Sequence, residues 1–260
     1  MSNGEPTIET RGRIAILTLD HPPANTLSVT ALSGLEGRLA RIEQDRAIDA
    51  IVITGAGDQY FSAGDDLEMF RNADRAGARE LARLLAAAVA RVARFRGLTV
   101  AAINGYCLGA GLEFALACDV RICEEHAQLG LPEARVGLLP CGGGTQRLPW
   151  LVGEGWAKRI ILCGEHVDAE TAQRIRLVEE VVPRGGAFDA AMALTERAAR
   201  QSPRAVAASK RLIDGTRLSA LETGHARESE AFAALFETND PNEGVSAFFD
   251  KRDPVWTRPS

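Results

Sequence analysis

Apolar residues recur along the chain with two periods, which predict alternating strands and helices. Short apolar runs such as residues 50–54 and 98–103 are typical of buried strands. Leucine and isoleucine recur at helical spacing within residues 28–46, and the same spacing returns within residues 73–95. Glycine-marked turns separate these segments, so the repeated order of strand, turn and helix predicts an α/β fold. The predicted strands are residues 7–10, 14–19, 50–54, 98–103, 119–123 and 177–182, and the predicted helices are residues 28–46, 73–95, 110–117, 145–163, 169–174, 187–200, 202–216, 218–236 and 241–250.

One long apolar stretch, residues 100–118, carries a single charge, Glu113, just after the turn Gly109-Ala110-Gly111. A carboxylate in apolar surroundings is costly unless it is paired or protonated, so Glu113 is a candidate site residue. The stretch is long enough to suit a membrane span, but its three glycines, its asparagine and Glu113 argue against that interpretation. The turn also fits the first half of a dinucleotide-binding motif, but Phe114 occupies the position of the third glycine.

A second carboxylate, Glu133, follows twenty residues later and precedes a glycine-rich segment at residues 137–144. We interpret Glu113 and Glu133 as facing each other across one small site. Each glutamate also has an ordinary interpretation. Glu113 fits the solvent-facing edge of an amphipathic helix, and Glu133 fits the acidic position that often follows a proline in a first helical turn.

Composition and charge exclude several classes of function. A chain of 260 residues suits one large domain, or a domain with an appended helical segment. The net charge of −5 argues against general nucleic-acid binding and against a polybasic membrane surface. The five cysteines form no CxxC pair, the four histidines are scattered, and no HExxH, Walker A or GxSxG motif occurs, so metal catalysis and a serine triad have no support. With no secretory leader visible, we expect a cytoplasmic protein with reduced thiols.

Four ordered segments resemble the enoyl-CoA hydratase/isomerase (crotonase) family. They are IVITGAGDQYFSAGDDL, AAINGYCLGAGLEFALACDVRI, LGLPEARVGLLPCGGGTQRLP and the terminal FFDKRDPVW. The resemblance implies an α/β, crotonase-like spiral of ββα turns in residues 1–195, which holds the acyl-CoA site. It also implies a C-terminal helical trimerisation segment in residues 196–260, with homotrimers that pair into hexamers. The apolar stripes of the C-terminal helices fit oligomerisation, and they fit packing within one chain equally well.

The resemblance also implies the catalytic residues. The family stabilises an enolate formed from an acyl-CoA thioester, and two backbone N–H groups directed at the thioester oxygen lower the barrier. The matching positions are Asp65 and Ala110, and Ala110 opens a helix, where free N–H groups and the helix dipole favour an oxyanion. Glu113 and Glu133 match the two glutamates of the family's hydratases. In that assignment Glu113 orients and deprotonates water, and Glu133 gives a proton to Cα.

The remaining substrate-binding residues come from the same resemblance. No cofactor is expected beyond the coenzyme A that the substrate carries. Asp66 is also a predicted helix N-cap, and the two C-terminal basic residues also fit a solvated charged tail. The matching residues are Pro23, Ala24 and Asn25 in a turn, Ala63, Gly64, Asp66 and Leu67 in a loop, Gly109 and Cys141 beside the catalytic groups, and Lys251 and Arg252 near the C-terminus.

Three residues depart from the family's pattern. Ala110 stands where glycine is frequent, and its methyl group narrows the approach of the substrate. Cys141 stands where hydratases commonly have a glycine beside the catalytic water, and it can alter the placement of the water or the fit of the acyl group. Asp65 replaces a small residue, and because an inward carboxylate would repel an oxyanion, we expect this side chain to point away.

The sequence therefore predicts an enoyl-CoA hydratase, a hydro-lyase of fatty acid metabolism that adds water syn across a 2-trans-enoyl-CoA to give a 3-hydroxyacyl-CoA. A Δ3-Δ2-enoyl-CoA isomerase and a hydratase of branched or polar acyl groups are alternatives within the family. A CoA-binding relative without activity is a third, but a buried carboxylate pair that serves no reaction only lowers stability. Side chains between residues 69 and 95 are expected to select the acyl group.

Overall fold

The computed structural model describes residues 6–201, 203–252 and 254–255, without the side chains of residues 204, 215–228 and 231. Two sheets form the centre of this described part. The first has the strand order β1-β2-β3-β5-β7-β10, with β1 antiparallel and all later neighbours parallel. The second has the order β4-β6-β8-β9, with only β9 antiparallel. The strands are β1 (Thr7–Arg11), β2 (Ile14–Leu19), β3 (Ala50–Gly55), β4 (Tyr60–Ser62), β5 (Leu98–Ile103), β6 (Tyr106–Leu108), β7 (Val120–Glu124), β8 (Gln128–Gly130), β9 (Val167–Asp168) and β10 (Glu180–Val182).

Helices surround the two sheets, and both faces of the first sheet are covered. In β3, Val52 packs towards α6, while Ile51 and Ile53 face the main core on the other side. This burial on both faces explains why the strand reads as an uninterrupted apolar run. No helix of the described residues is long and apolar enough to cross a membrane. The helices are α1 (Val29–Gln44), α2 (Arg75–Arg94), α3 (Ala110–Ala117), α4 (Gly144–Leu162), α5 (Ala169–Arg174), α6 (Ala187–Ala199), α7 (Pro203–Leu235) and α8 (Asp240–Asp250), with short 3₁₀ helices at Leu67–Phe70 and Glu133–Val136.

Consecutive strands pass from one sheet to the other before each helical segment. The chain runs through β3, β4 and α2, then through β5, β6 and α3, and then through β7, β8 and the 3₁₀ helix Glu133–Val136. These repeats are the turns of a ββα spiral, so the predicted α/β crotonase fold is confirmed. The carboxyl ends of parallel strands meet at one edge of a sheet. The segments that follow β4, β6 and β8 are therefore neighbours, and they carry Asp65, Ala110 and Glu133.

The elements differ from the predicted ones in three places. The strands of the second sheet are only two or three residues long. This is too short for an alternating pattern to be recognised, so the sequence did not predict them. The strand expected at residues 177–182 is only Glu180–Val182. The helices expected at residues 202–216 and 218–236 are one helix, α7, although residue 202 itself lies outside the described residues.

Tertiary contacts hold the C-terminal end of α7. Glu230 accepts hydrogen bonds from Arg75 at 2.6 Å and from Arg79 at 2.9 Å, both on α2. Phe232 is buried and its ring contacts Phe70 edge-on, with 5.6 Å between the ring centroids. Tertiary packing of this kind supplies most of a helix's stability in proteins, so this end of α7 is stabilised by α2 and by Phe70.

Candidate active site

Two glycines allow the segment after β4 to lie against the start of α3. Gly64 has φ +98°, and a Cβ built there would lie 3.1 Å from Leu108 O and 3.3 Å from Ala110 N. A Cβ on Gly111 would lie 2.7 Å from Ser62 Cβ. Any larger residue at either position would separate the two backbones. The loop that carries Asp65 is therefore held against the residue that opens α3.

Two backbone N–H groups at this junction are available to a ligand. Neither the Asp65 N–H nor the Ala110 N–H donates to an acceptor among the described residues. The next amide, that of Asp66, is already used, because it donates to Leu27 O at 3.0 Å. Ala110 is the first residue of α3, where unpaired N–H groups and the helix dipole attract negative charge. The pair has the chemistry of the predicted oxyanion hole.

The turn before α1 supports this loop. Ala63 N donates to Ala24 O at 2.9 Å, and Ser62 Oγ donates to Asn25 O at 2.7 Å. Asn25 is buried with φ +52°, a conformation that asparagine tolerates better than most residues. Pro23 is exposed on the same turn. Ala24 and Asn25 thus hold the donor loop in place, and contact of this turn with coenzyme A stays a prediction.

Glu113 lies in the interior of the protein. The residue is 1% exposed, and its Oε1 accepts hydrogen bonds from Gly142 N and Gly144 N, both at 2.8 Å. The interpretation of Glu113 as a residue on the solvent-facing edge of a helix is therefore wrong. Burial raises the pKa of Glu113 to about 7, against the two amide hydrogen bonds and the charge of Arg147, which lower it. A carboxylate with a pKa near neutrality suits a general base.

Glu133 lies beside Gly109, the glycine directly before α3. It opens the 3₁₀ helix Glu133–Val136, in agreement with its interpretation as a residue of a first helical turn. A Cβ built on Gly109 would lie 3.5 Å from Glu133 Oε1, and Gly109 O accepts a hydrogen bond from Glu113 N at 3.1 Å. The Glu133 carboxyl group thus lies against Gly109, the residue before Ala110, and the backbone of Glu113 lies one helical turn after Gly109. The structure places the Glu133 carboxyl group beside the Ala110 donor, and the charge of Glu113 acts on Asp65, the residue of the other donor. The catalytic role of each group stays a prediction.

The helix that carries Glu133 is held from outside by α8. A Cβ on Gly244 of α8 would lie 2.3 Å from Val136 O, and one on Gly137 would lie 2.5 Å from Asp240 O. The two segments therefore pack backbone against backbone, which only glycine permits. This contact makes the C-terminal part of the chain a support for Glu133.

The side chain of Asp65 has an oxygen inside the protein, and the expectation that it points away from the oxyanion stays a prediction. Its Oδ1 is buried and has no hydrogen-bond partner among the described residues. Burial raises the pKa of Asp65 well above its ordinary value, and the negative charges of Glu113 and then Asp66 raise it further. The raised pKa favours the protonated form of Asp65, which carries no charge and does not repel an oxyanion.

The other predicted binding residues are placed as follows. Asp66 caps the 3₁₀ helix Leu67–Phe70, since its Oδ1 accepts from Glu68 N at 3.0 Å, and the predicted N-cap is confirmed. Leu67 is half-buried in that helix. Cys141 is buried directly before Gly142, one of the two residues that hold Glu113. A change at Cys141 therefore reaches the site through the loop that orients the carboxylate.

The two C-terminal basic residues differ in their availability. Arg252 forms an ion pair with Glu243, at 2.6 Å between Nη1 and Oε1, and the pKa of Glu243 falls to about 2 because of the Arg252 hydrogen bonds. Lys251 is exposed at the end of α8 and forms no ion pair with a described residue. Of the two, Lys251 has the charge that a phosphate group can reach without displacing a partner. Binding of coenzyme A by either residue stays a prediction.

The sequence did not reveal how Glu113 is held. Gly142, Gly144 and Arg147 lie in the segment after Glu133, and the only signal for them was the density of glycines there. A metal centre finds no support in the described residues, because none of their histidine, cysteine, aspartate and glutamate side chains forms a suitable group of three.

The glycine-rich loop around Gly142 and Gly144 is tightly packed. A Cβ on Gly144 would lie 3.0 Å from Glu113 Oε1 and 2.8 Å from Pro140 Cβ, whereas one on Gly155 of the same helix meets nothing within 4 Å. We expect Gly144→Ala to destabilise the fold by about 1–3 kcal/mol, as overpacking does. Gly155→Ala, the matched control, is expected to stabilise it by about 0.5–1 kcal/mol. Thermal unfolding of both variants checks the pair, and equal effects would contradict the description of the loop.

Comparison with known proteins gives a consistent result. A family model described as enoyl-CoA hydratase/isomerase matches residues 9–259. The chain is 40% identical over 243 residues to a 2,3-dehydroadipyl-CoA hydratase of Escherichia coli K12, covering 93% of this chain and 94% of that protein. It is 35% identical over 246 residues to a short-chain-enoyl-CoA hydratase of Clostridium acetobutylicum, with 94% of each chain covered. Among solved structures, Pseudomonas aeruginosa DspI matches with a TM-score of 0.81 and 53% identity, over 99% of this chain and 98% of that one.

Proposed function

This chain belongs to the enoyl-CoA hydratase/isomerase (crotonase) family, and we propose that it is an enoyl-CoA hydratase. The reaction is the syn addition of water to a 2-trans-enoyl-CoA, which gives a 3-hydroxyacyl-CoA. One observation carries the proposal. Glu113 is buried with a pKa of about 7 and is held by two backbone N–H groups, and Glu133 Oε1 lies against Gly109, the residue before the Ala110 donor.

In this proposal each group has a defined task. The N–H groups of Asp65 and Ala110 bind the thioester oxygen and stabilise the negative charge that develops there. Glu113 uses Oε1 for the two loop amides, so Oε2, which accepts no hydrogen bond from the described residues, takes the proton of the water. The oxygen forms a bond with C3, and Glu133 delivers a proton to Cα.

The isomerase is the alternative within the family. Moving a double bond between carbons requires one proton shuttle, whereas hydration requires a group that activates water and a group that protonates carbon. Two carboxyl groups at one turn therefore favour hydration.

Turnover of two substrates tests the proposal. We expect the protein to remove the ultraviolet absorbance of the conjugated thioester from crotonyl-CoA, and to act poorly on 3-hexenoyl-CoA. 2,3-Dehydroadipyl-CoA is the polar substrate to measure beside them, since one relative bears its name. A protein that converts 3-hexenoyl-CoA to the conjugated isomer and leaves crotonyl-CoA unchanged would be an isomerase instead.

The pH dependence of kcat/KM is expected to follow the ionisation of the Glu113 carboxyl group. Because a general base acts in its ionised form, and the pKa of Glu113 is about 7, kcat/KM should rise with pH up to about 7 and level off above it. Initial rates with crotonyl-CoA between about pH 5 and pH 9 check this. A profile that stays flat from pH 5 upward would contradict the assignment of Glu113 as the base.

We also propose that the C-terminal helices support a homotrimer or a pair of trimers. On α7, Leu212 is 81% exposed and Ile213 is 68% exposed. Large apolar side chains in adjacent exposed positions are typical of an interface. Sedimentation equilibrium should give three or six times the mass of one chain, and substitution of both residues by glutamate should lower that mass. A single-chain mass for the wild type would contradict the proposal.

A further inference from the structure

Asp65, a residue of the proposed oxyanion hole, has a side-chain oxygen without a hydrogen-bond partner among the described residues. This oxygen, Oδ1, is buried. Buried polar atoms nearly always have a partner, so one that lacks it in the protein alone calls for an explanation. The backbone N–H of the same residue is one of the two proposed oxyanion donors, and it too is unpaired within the described part of the chain. The unpaired side-chain oxygen thus belongs to a residue whose backbone is a proposed substrate contact.

The surroundings of this carboxyl group are negative. The charges of Glu113 and Asp66 act on Asp65, and no lysine, arginine or histidine of the described residues forms an ion pair with it. The Asp66 side chain already accepts a hydrogen bond, because its Oδ1 caps the following 3₁₀ helix. Burial and these charges favour the neutral acid form of Asp65, which can accept a hydrogen bond at one oxygen and donate one from the other.

The position of the residue limits which ligand atom it can reach. If the Asp65 N–H binds the thioester oxygen, C2 and C3 are the next atoms of the acyl group along the substrate. The charge of Glu113 acts on the Asp65 carboxyl group, and Glu113 Oε2 is the proposed acceptor for a proton of water.

We propose that Asp65 is a third carboxyl group of the active site, whose Oδ1 accepts a hydrogen bond from the oxygen that adds to C3. This proposal rests on the proposed hydratase function. The attacking water gives one proton to Glu113 and directs its other hydrogen to Asp65 Oδ1, so a lone pair points to C3. The C3–O bond then forms, Cα takes its proton from Glu133, and Asp65 keeps its own proton throughout. The same contact holds the 3-hydroxyl group of the product.

Binding of two saturated thioesters tests the contact without turnover. 3-Hydroxybutyryl-CoA and butyryl-CoA differ only in the 3-hydroxyl group, and their dissociation constants are measured by calorimetry. All measurements use the Glu133→Gln background, which removes the group that would take the Cα proton and so blocks dehydration. The variants are Asp65→Ala, which removes the acceptor, and Asp65→Asn, which keeps a neutral acceptor oxygen. The control is Asp58→Ala, since Asp58 is an exposed carboxylate paired with Arg184.

The preference for the hydroxylated thioester is the expected readout. We expect Asp65→Ala to reduce it about tenfold, the contribution of an ordinary hydrogen bond, while butyryl-CoA binds about as before. Asp65→Asn and Asp58→Ala should keep the preference. A merely structural role would weaken both thioesters equally and would overturn the proposal, as would an unchanged preference in Asp65→Ala or a lost one in Asp65→Asn.

The hydratase function is judged separately, from turnover of crotonyl-CoA by the otherwise unchanged protein. If that turnover is absent while the preference depends on Asp65, hydration fails and the contact stands. If turnover is present and the preference for the hydroxylated thioester is unchanged in Asp65→Ala, the Asp65 contact is wrong and the hydratase function is supported.

Discussion

Glu113→Gln is expected to lower kcat/KM for the hydration of crotonyl-CoA by about 10²–10⁴-fold, as the loss of a general base does. The side-chain oxygen of glutamine can still accept from Gly142 N and Gly144 N, so the loop stays in place. The amide NH₂ group replaces Oε2, and it cannot take a proton from water. The variant therefore removes the base and leaves the shape of the site intact.

The same substitution is expected to stabilise the protein above neutral pH. The pKa of Glu113 rises from 4.5 to about 7 on folding. Its folded form thus binds the proton more tightly than the unfolded form, and the stability this contributes is present below pH 4.5 and lost as the pH rises to about 7. A neutral amide avoids this loss, so at about pH 8 the free energy of unfolding of Glu113→Gln should exceed that of the wild type by about 1–3 kcal/mol.

Two measurements on one variant check both expectations. Initial rates give the loss of activity, and denaturant unfolding at acid and alkaline pH gives the change in stability. Glu180→Gln, at an exposed position of β10, is the control and should change neither quantity. A Glu113→Gln protein with normal activity would contradict the role of Glu113, and one that is less stable at about pH 8 would contradict the raised pKa.

Glu113 and Glu133 were predicted from local sequence patterns, whereas the donors Asp65 and Ala110 and the catalytic roles came from the resemblance to the family. The helix at residues 110–117 was predicted with its observed bounds, and seven apolar or small residues surround Glu113 within it. Glu133 was predicted from the proline before it and the glycines after it. Local patterns of this kind survive folding because the neighbouring residues in sequence are also the neighbours in space.

The remaining features depend on contacts between distant segments. The second sheet has strands of two or three residues, too short to show a period, and it forms because three turns of the chain stack. The amides of Gly142 and Gly144 reach Glu113 across 29 and 31 residues. For Asp65, the argument from charge assumed an ionised carboxylate. Burial and the charge of Glu113 raise the pKa of Asp65 and so favour its protonated form, and no local pattern in the sequence predicts that burial.

Glu133→Gln is expected to reduce hydration by about 10²–10⁴-fold, because glutamine cannot give a proton to Cα. The variant tests a different step from Glu113→Gln, since the water can still be activated. In the reverse direction, wild-type protein should exchange the Cα hydrogen of 3-hydroxybutyryl-CoA with solvent deuterium, and Glu133→Gln should not. Loss of hydration with exchange intact would mean that another group serves Cα.

The double variant shows whether the two glutamates act as a unit. Glu133 Oε1 lies against Gly109, at the start of the helix that carries Glu113, and one hydration event needs the base and the acid together. Residues that serve one chemical event have effects that do not add, so once one glutamate is lost the other has little left to contribute. Glu113→Gln/Glu133→Gln should therefore be only slightly slower than the slower single variant. Effects that multiply fully would mean that each carboxyl group acts alone, as in a reaction that needs a single proton shuttle.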